Sequence, residues 1–431
     1  MAVCLHGKKI SNKEHKHQYL KHLKNVVVAF LLVFCTLNCA PTTQQTEIVT
    51  ESKVVLHPQY RLADSLLNII KTEAAFYDCP GFAIAIVADT SILKLEGYGI
   101  ANKKLNTRVN EHTLFRIASL SKSFAALTAK ILVKEGKLSF DDKVIQYIPN
   151  LKFKDPILTE NLTIGHLLSM STGLATHSYT NLVESNLSLD EIIPSFTSVK
   201  PIYPLGQYST YQNAAFGLIE KVIYNSTGIR YEEHLYHKVF KPLKLKATYT
   251  CDDFMEYKNI AWPHNFREVD STYTLDGFNQ KYYNLVSAGG INASANDLAK
   301  YVKFLINGDE SILPDEYLQE LFIGKVAVLP ERRSYEKWQY VDTVNYAYGW
   351  RTVKLTNGSQ WVFHGGYVNR YQSLIVFNPK SKVGMAILFN NDCPIGGEIM
   401  KWFVQIFEGL PDEIPSEAIA DTSAVTVVKE R

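Results

Sequence analysis

The chain is predicted to fold as an α+β protein, an antiparallel sheet built from N- and C-terminal strands with helices on its faces, beside a mainly helical region. Three observations support this. Near the start, Phe82-Ala83-Ile84-Ala85-Ile86-Val87 and Ile92-Leu93-Lys94-Leu95 flank Ala88-Asp89-Thr90, the pattern of two antiparallel strands joined tightly. Near the end, Trp361-Val362-Phe363 and the stretches 373–377 and 383–389 read as three more strands, with Asn378-Pro379-Lys380-Ser381 as a hairpin turn. Between these ends the apolar spacing becomes helical. Leu120, Phe124, Leu127 and Ile131 recur at i, i+4, i+7 and i+11, and Gly136 stops the run. A last helix carries Ile399, Trp402, Phe403 and Ile406 on one face, suited to covering the sheet. A cleft between sheet and helices is the expected site.

The 431 residues, 46% apolar and 12% aromatic, supply enough material for a sizeable core. Forty-five Lys and Arg against 43 Asp and Glu leave a formal charge of +2, which gives no long-range attraction to nucleic acid. No repeat or low-complexity stretch divides the chain, so residues 55–410 read as one catalytic unit, after a polar tether at 40–54 and before a polar tail at 411–431.

The basic charge gathers before residue 25, where Lys8, Lys9, Lys13, Lys16, Lys21 and Lys24 precede an apolar run at 26–37. That layout is an export signal. A helix of this length rises about 18 Å, short of the ~30 Å hydrocarbon core, which favours a cleavable segment at 1–39 over a spanning anchor. Thr36-Leu37-Asn38-Cys39-Ala40 is similar to a bacterial lipoprotein processing site with Cys39 lipidated, although Thr36 and Asn38 depart from its usual residues. The expected location is therefore periplasmic or cell-envelope, with the membrane as a partner through that anchor. Cys79, Cys251 and Cys393 remain for the folded part. They allow one bridge of open pairing, or none, with the thiols buried and unpaired.

Ser119 and Lys122 stand where the first strong helix begins, three residues apart on one face, close enough for an amine to take or relay the hydroxyl proton. The helix start adds backbone N–H groups for the anion that develops as serine attacks a carbonyl. The same spacing recurs at Ser91 and Lys94, which a strand points to opposite faces, and at Ser334 and Lys337, in a charged loop-like stretch. Tyr211-Gln212-Asn213 is the second element: a phenol depressed by a nearby ammonium can act as base, and an amide can hold substrate and lysine. Tyr-x-Asn also occurs at Tyr179, Tyr257, Tyr282 and Tyr367, so position along the chain must choose. The third is His364-Gly365-Gly366 at a strand end, where glycines allow close backbone approach and the imidazole can contact a substrate carboxylate or carbonyl. His234 and His237 resemble a metal pair but lack a third ligand, so no metal is expected.

Taken in order, Ser119-Leu120-Ser121-Lys122, Tyr211-Gln212-Asn213 and His364-Gly365-Gly366 resemble the three motifs of serine β-lactamases and penicillin-binding proteins, closest to the class C β-lactamase-like branch. Flanking phrases extend the likeness over residues 65–405, among them Glu135-Gly136-Lys137-Leu138, Thr163-Ile164-Gly165-His166-Leu167-Leu168 and Ala288-Gly289-Gly290. The resemblance implies a β-lactamase/transpeptidase-like fold. It also implies Ser119 as nucleophile, Lys122 and Tyr211 sharing acid and base work, Asn213 positioning substrate, and the backbone N–H groups of Ser119 and Tyr367 as oxyanion hole. The departure is the third motif, where class C β-lactamases carry Lys-Thr-Gly. Histidine is only partly charged at neutral pH, which weakens the expectation of efficient β-lactam hydrolysis.

The expected activity is that of a serine hydrolase acting on a small amide, ester or D-amino-acid peptide, with β-lactams as slow substrates or inhibitors and no cofactor. The competing expectation is a catalytically idle scaffold or cell-wall-binding protein that kept the fold. Substrate choice is expected to lie in loops within 175–200 and 255–285.

Overall fold

The structure, a computed structural model, describes residues 58–267, 272–329 and 338–411. The export segment with Cys39, the tether, Ser334, Lys337 and the tail beyond 411 lie outside the described residues. The strands in chain order are β1 (Gly81–Ala88), β2 (Ser91–Asn102), β3 (Thr107–Arg108), β4 (Phe115–Arg116), β5 (His264–Arg267), β6 (Thr272–Leu275), β7 (Asn292–Ala293), β8 (Val326–Ala327), β9 (Val341–Tyr346), β10 (Arg351–Leu355), β11 (Gln360–Val368), β12 (Tyr371–Asn378) and β13 (Val383–Phe389). Nine of them form one sheet in the order β3-β2-β1-β13-β12-β11-β10-β9-β8, with antiparallel pairing throughout.

The two chain ends meet at the sheet's centre. β1 pairs with β13, Ile84 opposite Ile387 and Ala85 opposite Ala386. Both strands are buried along their whole length, because helices cover both faces. On the outer face Phe82, Ile84, Ile86, Val376, Met385 and Ile387 pack under helices Pro58–Phe76 and Ile399–Glu408. On the inner face the smaller Ala83, Ala85, Val87 and Ala386 join the core of the helical region. Helix Ala295–Asn307 comes so close there that a Cβ on Gly384 would lie 2.5 Å from Val302 Cγ1.

Several elements go beyond the sequence reading. The hairpin turn holds Asp89 at φ +49°, but β2 continues to Asn102 and β11 runs through both glycines to Val368. Helix Pro58–Phe76 was not anticipated, although Ala63, Leu66, Ile70 and Ala74 carry the helical spacing. Strands β9 and β10 were missed too, their patterns being short and partly exposed. Helix Ser121–Lys134 is buried from Ser121 to Leu132 on every side, so its apolar stripe understated its depth. Cys79 and Cys393 form a disulfide, Cα atoms 5.7 Å apart across 314 residues of chain, while Cys251 is free. This bridge ties the connection after the first helix to the segment before the last, beside the same face of the sheet.

Candidate active site

Ser119 sits in a 3-10 turn, Ala118–Leu120, that leads into helix Ser121–Lys134. Ala118 is held at φ +48°, a left-handed conformation that costs a residue with a Cβ about 1–2 kcal/mol. Neighbours hold the turn: Ile117 N–H donates to Ile291 O at 3.0 Å, Ser373 Oγ to Ile117 O at 2.7 Å, and Ser121 Oγ to Ala118 O at 2.7 Å. The strained turn aims Ser119 into a cleft of about 770 Å³ between the sheet and the helical region.

Lys122 lies one turn on, fully buried. Its Nζ reaches Asn213 Oδ1 at 2.8 Å, Ala288 O at 2.6 Å and Ser119 Oγ at 3.2 Å. Burial, helped by the nearby Arg351 guanidinium, holds this amine well below its ordinary range. Asn213 Oδ1, Ala288 O and Ser119 Oγ together fix Nζ beside the Ser119 hydroxyl, and the lowered pKa eases loss of its proton.

Tyr211 donates to Ser119 Oγ at 2.7 Å. The expectation of a depressed phenol is corrected: burial pushes Tyr211 up, against the pull of Arg351 and of the bond to Ser119. Desolvation of the phenolate outweighs the pull of the neighbouring cation. Tyr211 therefore stands as a hydrogen-bond donor to Ser119 Oγ. Asn213 opens helix Asn213–Thr227, and its Nδ2 donates to Tyr282 OH at 3.1 Å, which donates to Glu184 Oε1 at 3.1 Å. Those two bonds fix the amide so that its oxygen faces Lys122. Of the four competing Tyr-x-Asn tyrosines, Tyr282 and Tyr367 line the cleft, and only Tyr211 bonds Ser119.

β11 forms the opposite wall. A Cβ on Gly366 would lie 2.3 Å from Ile117 O and 3.0 Å from Ser119 N, so the strand reaches the nucleophile turn only because residue 366 is glycine. Gly365 carries no such demand, since a Cβ there would meet nothing nearer than 3.5 Å. Tyr367, next along the strand, lines the cleft and is 58% exposed. His364 departs from its expected role. It is fully buried and does not line the cleft: Nδ1 donates to Gly365 O at 2.7 Å, and Nε2 accepts from Tyr346 OH at 3.0 Å. Burial, then Arg351 and Lys122, hold it well below its ordinary value, so it stays neutral. In this geometry it supports the wall rather than touching a substrate.

The cation on the cleft is Arg351, which the sequence reading missed. Its guanidinium lies 5.5 Å from the Tyr211 ring centre and 5.4 Å from that of Tyr346. Among the described residues it pairs with no carboxylate. Its position follows from Gly349, where a Cβ would lie 2.6 Å from Lys122 O, so β10 starts against the nucleophile helix. The alternation Arg351-Thr352-Val353-Lys354-Leu355 was the available signal. His177, Thr180, Glu184 and Tyr282 complete the lining from the two segments expected to hold specificity. Elsewhere, Lys94 pairs with Asp64 rather than serving Ser91, and His234 Nε2 bonds Thr227 Oγ1 at 2.9 Å. Among the described residues no three His, Cys, Asp or Glu side chains converge as a metal site.

Comparison with known proteins places the fold. The Beta-lactamase family model matches residues 68–405. The chain belongs to the beta-lactamase family. Acyl-enzyme chemistry on a serine is the general chemistry of beta-lactamase relatives, as the resemblance implied. Protein flp of Staphylococcus aureus (strain MW2) is 26% identical over 314 residues, which make up 72% of this chain and 59% of flp. The chain thus spans less than two thirds of the length of that relative. A Beta-lactamase of Yersinia enterocolitica is 24% identical over 346 residues, covering 73% of this chain and 83% of its own. Among solved structures, the octameric penicillin-binding protein homologue from Pyrococcus abyssi superposes with a TM-score of 0.71 at 25% identity, over 80% of this chain and 77% of that one. The α+β, β-lactamase/transpeptidase-like fold is therefore the family's own.

Proposed function

We propose that this protein is an exported serine hydrolase that builds an acyl-enzyme on Ser119 and cleaves a small amide, ester or D-amino-acid peptide carrying a carboxylate. The observation that carries this is the setting of Lys122, a fully buried amine held 3.2 Å from Ser119 Oγ, with its pKa lowered by burial and by Arg351. Lys122 takes the hydroxyl proton as Oγ attacks the carbonyl carbon, and the N–H groups of Ser119 and Tyr367 meet the charge on the carbonyl oxygen. The Lys122–Tyr211 pair then supplies a proton to the leaving group, and its roles reverse when water releases the acyl group. Asn213 positions lysine and substrate.

Arg351 narrows the substrate class. A permanent guanidinium on the cleft, with no carboxylate partner among the described residues, favours a carboxylate, where a buried neutral His364 offers none of that attraction. A peptide with a free terminal carboxylate fits best, and β-lactams, which carry one, fit as slow substrates or inhibitors. Export, with lipidation at Cys39, rests on the lysine-rich start and its apolar run. The Cys79–Cys393 bridge suits an oxidising compartment.

Labelling with a fluorophosphonate or fluorescent penicillin tests the core of the reading. Wild type should label and Ser119→Ala should not; an unlabelled wild type supports the idle scaffold instead. A panel of a p-nitrophenyl ester, a chromogenic cephalosporin, a D-Ala-D-Ala peptide and its C-terminal amide tests the carboxylate. Arg351→Gln should raise KM for the free-acid peptide about 10-fold and leave the amide unchanged. Equal effects on both would sink that part. Palmitate incorporation lost in Cys39→Ser tests the anchor.

A further inference from the structure

Helix Asn213–Thr227 begins at the residue whose Oδ1 accepts from Lys122. Residues four and seven further on share its face, and they are Gly217 and Glu220. That face meets the segment 285–290. Leu285 sits over Gly217, where a Cβ would lie 2.3 Å from Leu285 Cδ1. One turn on, Glu220 Oε1 accepts the N–H of Ser287 at 2.7 Å. Ser287 adjoins Ala288, whose carbonyl accepts from Lys122 at 2.6 Å. Both acceptors that hold the lysine therefore hang from one helix face, Asn213 directly and Ala288 through Glu220.

An enclosed carboxyl is a costly means of docking a turn that Leu285 already seats by apolar contact. Burial, with Glu232 nearby, pushes the Glu220 carboxyl up to about 8, although the residue as a whole keeps part of its surface open. What the carboxyl adds is direction. An apolar contact tolerates small slides, whereas an N–H bond of 2.7 Å sets where the next carbonyl points.

We propose that Glu220 is a positioning residue for the reaction: it clamps the turn Val286–Gly289 so that the Ala288 carbonyl stays on Lys122 and Lys122 Nζ stays on Ser119. The proposal rests on the reading of Ser119 and Lys122 as nucleophile and base. It separates reach from charge. Glu220→Gln keeps an acceptor at the same distance, whereas Glu220→Asp and Glu220→Ser are too short to reach Ser287.

The test is the rate of fluorophosphonate labelling of Ser119 in the full chain, resolved into kinact and KI, with melting temperature recorded for each variant. Glu220→Asp and Glu220→Ser should lower kinact about 10- to 100-fold, as expected for misplacement of a catalytic group, and move KI less than about 2-fold. Glu220→Gln should stay within about 2-fold of wild type in both. Either short variant that folds is enough to decide. A folded short variant with wild-type kinact overturns the proposal, and so does a Gln variant as slow as the short ones. An unlabelled wild type removes the Ser119 reading and this proposal with it, which sets that failure apart.

Discussion

The two faces of the nine-stranded sheet are built from the same strands yet filled differently. The outer face is apolar and aromatic: Trp361 packs edge-on against Phe403 at 5.5 Å between ring centres, and Ile84, Met385 and Ile387 lie under the terminal helices. Beside it the Cys79–Cys393 bridge closes 314 residues of chain. Toward the inner face the structure buries Lys122, Ser121, Ser123, Asn213, Asp297 and Arg116, and bends Ala118 to φ +48°. Each of these needs a partner or carries strain. One side thus supplies stability that the other can spend on chemistry, and the two should respond separately to mutation.

The largest effect expected is on the inner face. Lys122→Met should cut labelling of Ser119 by about 10³-fold or more, while stability stays within about 1 kcal/mol, since relief of the buried amine offsets two acceptors left unpaired. A melting temperature that collapsed with activity would break the division. On the outer face, Phe403→Ala should cost about 3–5 kcal/mol in denaturant unfolding and leave the labelling rate per folded molecule unchanged. Replacing Cys79 and Cys393 together by Ser should cost about 2–4 kcal/mol, again without slowing labelling. A rate loss in either outer variant would mean that the faces are coupled.

The remaining effect is a pH slope, small over any one unit of pH. Glu220 has a folded value of about 8 against an ordinary 4.5, so between those values the native state keeps a proton that the unfolded chain has released. Its contribution therefore weakens stability as pH rises from 4.5 toward 8 and is level above that. The slope should approach about 1 kcal/mol per pH unit and vanish in Glu220→Gln, read from melting temperatures across that window.

The first two motifs were legible because helix periodicity fixes which side chains share a face over three or four residues. Ser119, Lys122, Tyr211 and Asn213 do converge within hydrogen-bonding distance of one another. His364 was legible as a strand residue but not as a buried one. What covers it is Tyr346, from β9, and what takes its expected place on the cleft is Arg351, from β10. Both belong to short strands whose alternation is blurred by partial exposure. The state of Tyr211 was misjudged for a related reason: the pull of a nearby cation was expected to dominate, and desolvation outweighs it.

By itself the sequence determined the strands at both ends of the chain, the helical stretch between them, the pairing of Ser119 with Lys122, and the order of the motifs. These are local patterns, written in spacing of two, three or four residues. Only the tertiary structure decided which cysteines pair, which charged group stays charged, and which side of a wall a residue occupies. Those outcomes depend on desolvation and on contacts between residues far apart in the chain, such as Lys122 with Ala288 or Gly366 with Ile117, and no local spacing encodes them.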